Sequence, residues 1–245
     1  MSLAKPADAL GACGGQVMRF SLSGARLPPT GATVRVAEAF RSAALAGLQV
    51  ITGHRGSFVL SGHRPDGKAG HGHRHAFYLP TPDEKGRIVA VHVVNPVQRF
   101  SVEEAEALRL IRGLQWNGPS TKANVELVSE DDRTLSQVAG VWSTVTPYVP
   151  PRRFYGTHGK HHLIPEKQVV EELVRLVAGN YEVEEIRKVP EWRIRVRLAS
   201  GDPERQPLRR EGFYVRFRSA SPLCGPVVLG HSTHFGLGQF RPVAE

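Results

Sequence analysis

The chain has 245 residues, and its 32 Lys+Arg against 23 Asp+Glu give a formal net charge of +9. A basic surplus of that size points to a polyanion partner, while 40% hydrophobic residues are too many for basic disorder. Two cysteines, Cys13 and Cys224, are too few for a four-cysteine zinc set or a disulfide framework. No apolar run approaches the ~20 residues of a membrane span. With no basic-then-apolar leader pattern either, a cytoplasmic protein without a membrane partner is expected.

Residues 16–23 read as a strand and 25–33 as a loop containing Pro28 and Pro29. Residues 34–48 have helical period: Val36, Phe40, Ala43, Ala44 and Leu48 share a face, with Arg35, Glu38 and Ser42 opposite and Arg41 at the edge. Residues 58–60 and 76–79 look like strands around a loop rich in Gly and His, and 88–94 is a further strand. Ser101-Val-Glu-Glu104 is a capping box opening a helix over 102–112 that Gly113 stops. Residues 125–128 form a strand before the acidic turn Glu130-Asp-Asp132.

In the second half, 142–149 reads as a strand running into Pro150-Pro151. Pro165 opens a helix whose Val169, Val170, Leu173, Val174 and Val177 face inward, and Gly179-Asn180 closes it. Strands follow at 181–186, 192–198, 213–218 and 226–229, the last feeding a glycine run. This order predicts an α+β protein of two tandem ferredoxin-like (RRM-like) domains with basic inserted loops, over 1–135 and 136–245.

Trp192-Arg-Ile-Arg-Val-Arg-Leu198 puts Arg193, Arg195 and Arg197 on one face of a strand, and Phe213-Tyr-Val-Arg-Phe-Arg218 does the same with Tyr214, Arg216 and Arg218. Same-face residues lie ~6.5 Å apart, so each strand holds a guanidinium ladder. Paired side by side, the two would share five arginines and a tyrosine on one face. A solvated face normally mixes both signs, and neither ladder contains an acid, so RNA is favoured, with the tyrosine available for base stacking. Arg152, Arg153 and Lys160 lie in a second basic, aromatic loop that also holds His158, His161 and His162. His71, His73 and His75 have a spacing that permits a three-histidine zinc site. No acidic or cysteine ligand stands nearby, so a phosphate-facing or solvated loop is preferred, and no metal or cofactor is assigned.

The chain closes with Gly230-x5-Gly236-Leu-Gly238-x-Phe240, followed by Arg241. This run resembles the glycine-rich loop of the repeat-associated RNA-binding superfamily of CRISPR systems. Gly72-His-Arg-His-Ala-Phe-Tyr-Leu-Pro80 and Trp142-Ser-Thr-Val-Thr-Pro-Tyr-Val-Pro-Pro-Arg152 resemble its repeat-processing endoribonucleases of type IV and the fused processing subunit of type I-U systems. With no attached backbone-subunit domain, the stand-alone type IV form is the expectation. The resemblance implies binding to a CRISPR repeat hairpin and metal-independent cutting at its 3′ base. The 2′-hydroxyl attacks the adjacent phosphate and leaves a 2′,3′-cyclic phosphate, and the protein stays on the mature guide within an effector complex with other subunits.

Many members of the superfamily use a histidine near the first strand or helix, but none precedes His54 in this sequence. The matching segments hold Arg26 and Arg41, in the first of the two domains, and Arg241 completes the expected catalytic set. His54, His231 and His234 are the alternative catalytic residues. Gly230, Gly236 and Gly238 are expected to approach the RNA backbone or to support the site that cuts it. The competing reading is a non-catalytic RNA-binding subunit of the same complex.

Overall fold

The computed structural model describes residues 15–62, 75–118, 120–151, 164–193 and 209–244. In β1 (Gln16–Ser23) the side chains alternate, with Met18, Phe20 and Leu22 buried beneath helices and Val17 facing the other way. A 3-10 turn at Thr30–Ala32 leads into α1 (Thr33–Thr52), where the Thr33 hydroxyl donates to the Thr30 carbonyl at 2.6 Å. Val36, Phe40, Ala44 and Leu48 of the predicted stripe are buried, Ala43 is half-buried, and Ala37 joins the buried face.

Residues 58–60, predicted as a strand, instead belong to α2 (Phe58–Ser61). The Ser57 hydroxyl accepts from the Leu60 N–H at 2.9 Å, and this cap decides a run too short to show a period. Then come β2 (Phe77–Pro82), β3 (Ile88–Asn95), α3 (Val102–Arg109), β4 (Gly113–Gln115) and β5 (Lys122–Ser129). The capping box of Ser101 and Glu104 is formed, but α3 ends at Arg109 and Gly113 opens β4 instead of closing the helix. The sheet runs β2-β3-β1-β5-β4 with α1 and α3 on one face. Its first four strands have the ferredoxin-like order, and β4 extends the edge.

The opposite face of this sheet holds a buried imidazole. His92 Nδ1 lies 2.9 Å from the Thr81 hydroxyl, and Nε2 is 3.8 Å from Asp132. Burial, with Arg19 adding to it, lowers the His92 pKa from 6.5 to about 4 against the pull of Asp132. The unfolded chain binds this proton more tightly, so the contribution of neutral His92 is complete above pH 6.5 and disappears as pH falls towards 4. We expect wild type to lose about 3 kcal/mol more than His92→Gln over that window. Urea melts at pH 7 and pH 4.5 would show it, and equal losses in both proteins would refute it.

The second sheet comprises β6 (Val138–Thr144), β7 (Tyr181–Arg193), β8 (Arg209–Cys224), β9 (Val227–Val228) and β10 (Gln239–Pro242), ordered β7-β8-β6-β10-β9. β6, β7, β8 and β10 repeat the ferredoxin-like order, giving the tandem α+β architecture expected. Among the described residues one helix, α4 (Pro165–Leu176), covers it, and a 3-10 turn at Thr233–Phe235 stands where a second helix would be. Val169 and Leu173 are buried against Trp142, Val215, Phe217 and Phe240. Val174 and Val177, predicted inward, are exposed, because Val174 lies ~100° round the helix from Leu173 and α4 is covered on one side only.

Two predicted strand ends shift. β6 stops at Thr144, before Pro147, and Tyr148 forms a lone bridge to Phe213. The predicted strand 181–186 continues into the described start of 192–198, since β7 runs unbroken through Pro190 to Arg193 and residues 194–198 lie outside the described residues. An edge strand tolerates the missing N–H, and the register shift between Val189 and Trp192 absorbs the ring.

Candidate nucleic-acid interface

Because Phe213, Val215 and Phe217 face α4, Tyr214, Arg216 and Arg218 project from the open face of the second sheet. Register then assembles a row: Arg241 on β10 pairs with Ser143 on β6, Ser143 pairs with Arg216 on β8, and Arg216 pairs with Glu185 on β7. Directly opposed residues share a face, so Arg241 and Arg216 stand two strands, ~10 Å, apart on the same surface. That brings together a candidate catalytic residue on β10 and a candidate binding residue on β8.

Arg193, the described member of the first ladder, does not stand beside Arg216. Arg193 pairs with Arg209, seven residues from Arg216 along β8, which is ~23 Å of strand. What lies beside Arg216 and Arg218 is the acidic half of β7. Glu184, the extra residue at the shift between Val183 and Glu185, accepts from Arg216 Nε at 2.8 Å and Arg218 Nε at 2.7 Å. The Arg216 bond is the larger of the effects holding the Glu184 carboxyl below its ordinary pKa. The face therefore mixes signs after all, with the acid supplied by the neighbouring strand. Arg187 caps the Tyr214 ring at 4.4 Å and pairs with Glu185 at 3.2 Å.

A second cluster joins the two sheets. Arg41, in the middle of α1, donates from Nη2 to the Ser61 carbonyl at 2.6 Å. The next residue, Gly62, lies under the His75 ring, which a Cβ at Gly62 would approach to 3.1 Å. His75 stacks on His234 at 3.6 Å, and His234 stacks on Phe77 at 3.8 Å. His234 Nδ1 lies 3.2 Å from the Ala76 carbonyl. A carbonyl only accepts, so the neutral ring carries its proton on Nδ1 and its lone pair on Nε2. Arg41, His75 and His234 are thus linked through two residues of α2 and its cap. The deeply buried Tyr78 hydroxyl donates to Leu60 in the same turn, and burial raises its pKa.

No protein-family model matches the sequence, and no curated protein matches it. Among solved structures, a crystal structure of Cas6b is similar with a TM-score of 0.53 at 10% sequence identity, over 94% of this chain and 99% of that one. A CRISPR-associated protein Cas6 gives 0.51, also at 10% identity and over 94% and 99% of the two chains. The chain has the Cas6 fold. At this identity the likeness is one of backbone path, and each side chain has to be judged by its own geometry.

Within the Cas6 fold of this chain, the glycine run is a bolt between sheets. Gly236 (φ +79°) and Gly238 (φ +63°) are buried; a Cβ would come within 2.5 Å of Pro80 Cδ at the first and 1.8 Å of the Leu229 carbonyl at the second. Their N–H groups donate to the Thr233 and Pro147 carbonyls, and that of Gly230 donates to Glu172 at 2.6 Å. The main-chain donors expected to face phosphate are therefore used inside the protein. Gln239 Nε2 donates to the Pro80 and Gly236 carbonyls at 2.9 and 2.8 Å, and the Thr146 hydroxyl adds 2.7 Å to Gly236.

The remaining candidates are dispersed. Arg26 is exposed in the loop after β1 and makes no hydrogen bond or ion pair among the described residues. His54 sits past the end of α1, ~18 Å along the axis from Arg41, with its Nδ1 accepting from Gly56. His231 is half-buried beside Ser232, and burial followed by Arg210 lowers its pKa. Arg152, Arg153, Lys160, Arg195, Arg197, His71 and His73 lie outside the described residues. His75 and Phe77 were missed as partners of His234, since nothing in the sequence shows that residues 77 and 234 stack.

Proposed function

We propose that the protein is a metal-independent endoribonuclease that cuts precursor CRISPR RNA at the 3′ base of the repeat hairpin. It then keeps the mature guide and joins other subunits in an effector complex. The observation that carries this reading is the row Arg241–Ser143–Arg216 on an open sheet face of a Cas6 fold. In the proposed step the 2′-hydroxyl gives its proton to water as its oxygen bonds to the adjacent phosphorus, and the bond to the 5′-oxygen breaks as that oxygen takes a proton from water. Arg26, Arg41 and Arg241 are proposed to hold the phosphate in line and to offset the charge growing on it. Arginine is a poor base because its pKa exceeds ~12, so slow turnover is expected, which suits a protein that retains its product.

Cleavage of the protein's own repeat RNA should persist in EDTA, and RNA with a 2′-deoxy residue just upstream of the cut should stay intact. A requirement for a divalent ion, or cutting of the deoxy RNA, would defeat the mechanism. Binding has its own test: Arg216→Ala and Arg195→Ala should each weaken hairpin binding and reduce the salt slope by about one, as loss of one phosphate contact does. An unchanged slope in Arg216→Ala would remove RNA from this face, and in Arg195→Ala would remove that residue from the interface. One observation favours the non-catalytic alternative, since Arg41 Nη2 is already engaged by Ser61.

A further inference from the structure

A cavity of about 610 Å³ opens beside the arginine row, where the second sheet meets the turn before α1. Its walls include Tyr214, Arg187, Trp192, Arg193, Thr144 and Gly31. The volume falls in the range of small-ligand sites, roughly 300–1,000 Å³. Its lining is unusual in kind: one aromatic wall already carries a guanidinium at 4.4 Å, and a second aromatic, half-buried Trp192, packs against the core of the first sheet. Two arginines supply positive charge, while Glu191, also at the wall, offers a carboxylate acceptor. Flat π surfaces with flanking cations and a polar rim are what a stacked nucleobase and its phosphate require.

We propose that this cavity binds one unpaired nucleotide of the RNA that flanks the hairpin, with its base stacked against Tyr214 or Trp192 and its phosphate on Arg187 or Arg193. The inference rests on the repeat-RNA reading and adds a single-stranded subsite to it. Position supports the assignment. Tyr214 is two residues from Arg216 on the same strand face, ~6.5 Å away, so a strand leaving the phosphate-binding row reaches the cavity within one nucleotide. An internal base pair cannot enter, because both faces of its bases are already stacked within the duplex.

The test is a cycle between protein and RNA. Tyr214→Leu and Trp192→Leu keep apolar bulk and lose the stacking plane, and circular dichroism confirms that each variant folds. The RNA is the protein's own repeat with both flanks, carrying an abasic residue at each unpaired position in turn. One abasic position should weaken wild-type binding roughly tenfold, the usual size of one base–aromatic stack. At least one variant should lose the same factor on intact RNA and lose nothing further on that abasic RNA. Penalties that multiply, or abasic RNAs that all bind wild type as intact RNA does, would overturn the subsite. The bare hairpin without flanks separates the two readings. Wild-type binding to it with no abasic effect elsewhere sinks the subsite alone, whereas failure to bind either RNA sinks the repeat reading and the subsite with it.

Discussion

Arg41→Ala and Arg241→Ala should each slow single-turnover cleavage by about 10²–10³ at saturating protein, the usual loss when one preorganised transition-state donor is removed. Binding should weaken far less. A residue that only holds the ground-state phosphate behaves the other way, raising the dissociation constant and leaving the saturated rate almost intact. Arg41→Lys should rescue little, because the ammonium keeps the charge and loses the planar fork that donates to Ser61. Arg26→Ala belongs to the same series.

His234 is the internal rival, since the stack on His75 and Phe77 fixes its ring and its tautomer. A histidine base would give a rate that climbs with pH through about 6.5 and then levels, and His234→Ala would be inactive. Wild-type rates in the arginine variants together with an inactive His234→Ala would end the arginine assignment, and His54→Ala and His231→Ala complete the comparison.

Gly238→Ala should be among the most damaging single changes in the chain. Its φ of +63° costs any L-residue about 1–2 kcal/mol. The added methyl group would lie 1.8 Å from the Leu229 carbonyl, a backbone atom that cannot rotate away. Overpacking of this kind costs a further ~1–3 kcal/mol, and displacement of the strand pairs beside it adds to that. A loss of about 3–5 kcal/mol is expected, enough to unfold a marginal domain. Gly53→Ala is the control: φ is +79° there too, but nothing lies within 4 Å, so only the ~1 kcal/mol backbone cost remains. Chemical denaturation of both variants tests this, and equal stabilities would show that the contact at Leu229 relaxes freely.

Much of what depended on local pattern was legible in the sequence, although the Ser57 cap and the end of α3 were not. The stripe of Val36, Phe40, Ala44 and Leu48 became the buried face of α1, Ser101 and Glu104 formed their capping box, and Pro165 opened α4. Residues three or four apart on a helix, or two apart on a strand, are neighbours by geometry alone, so their chemistry can be read without knowing the fold. The alternation in 213–218 likewise separated the core face from the arginine face. The order of these elements was enough for the tandem α+β architecture.

Only the tertiary structure decided which strands pair, and in what register. The ladder at Arg216 and Arg218 met Glu184 across the sheet instead of Arg193, because a one-residue shift in β7 turns that acid towards them. It also decided that Arg241 joins Arg216 through Ser143, and that Arg41 reaches His234 through Ser61, Gly62 and His75. The glycine run, which invites phosphate when read as sequence, proved to be filled by Pro80 and Leu229. These contacts join residues up to about 160 positions apart, and their partners are selected by the packing of two sheets against each other. A single sequence carries no local periodicity for such pairs; burial of the shared surface selects them.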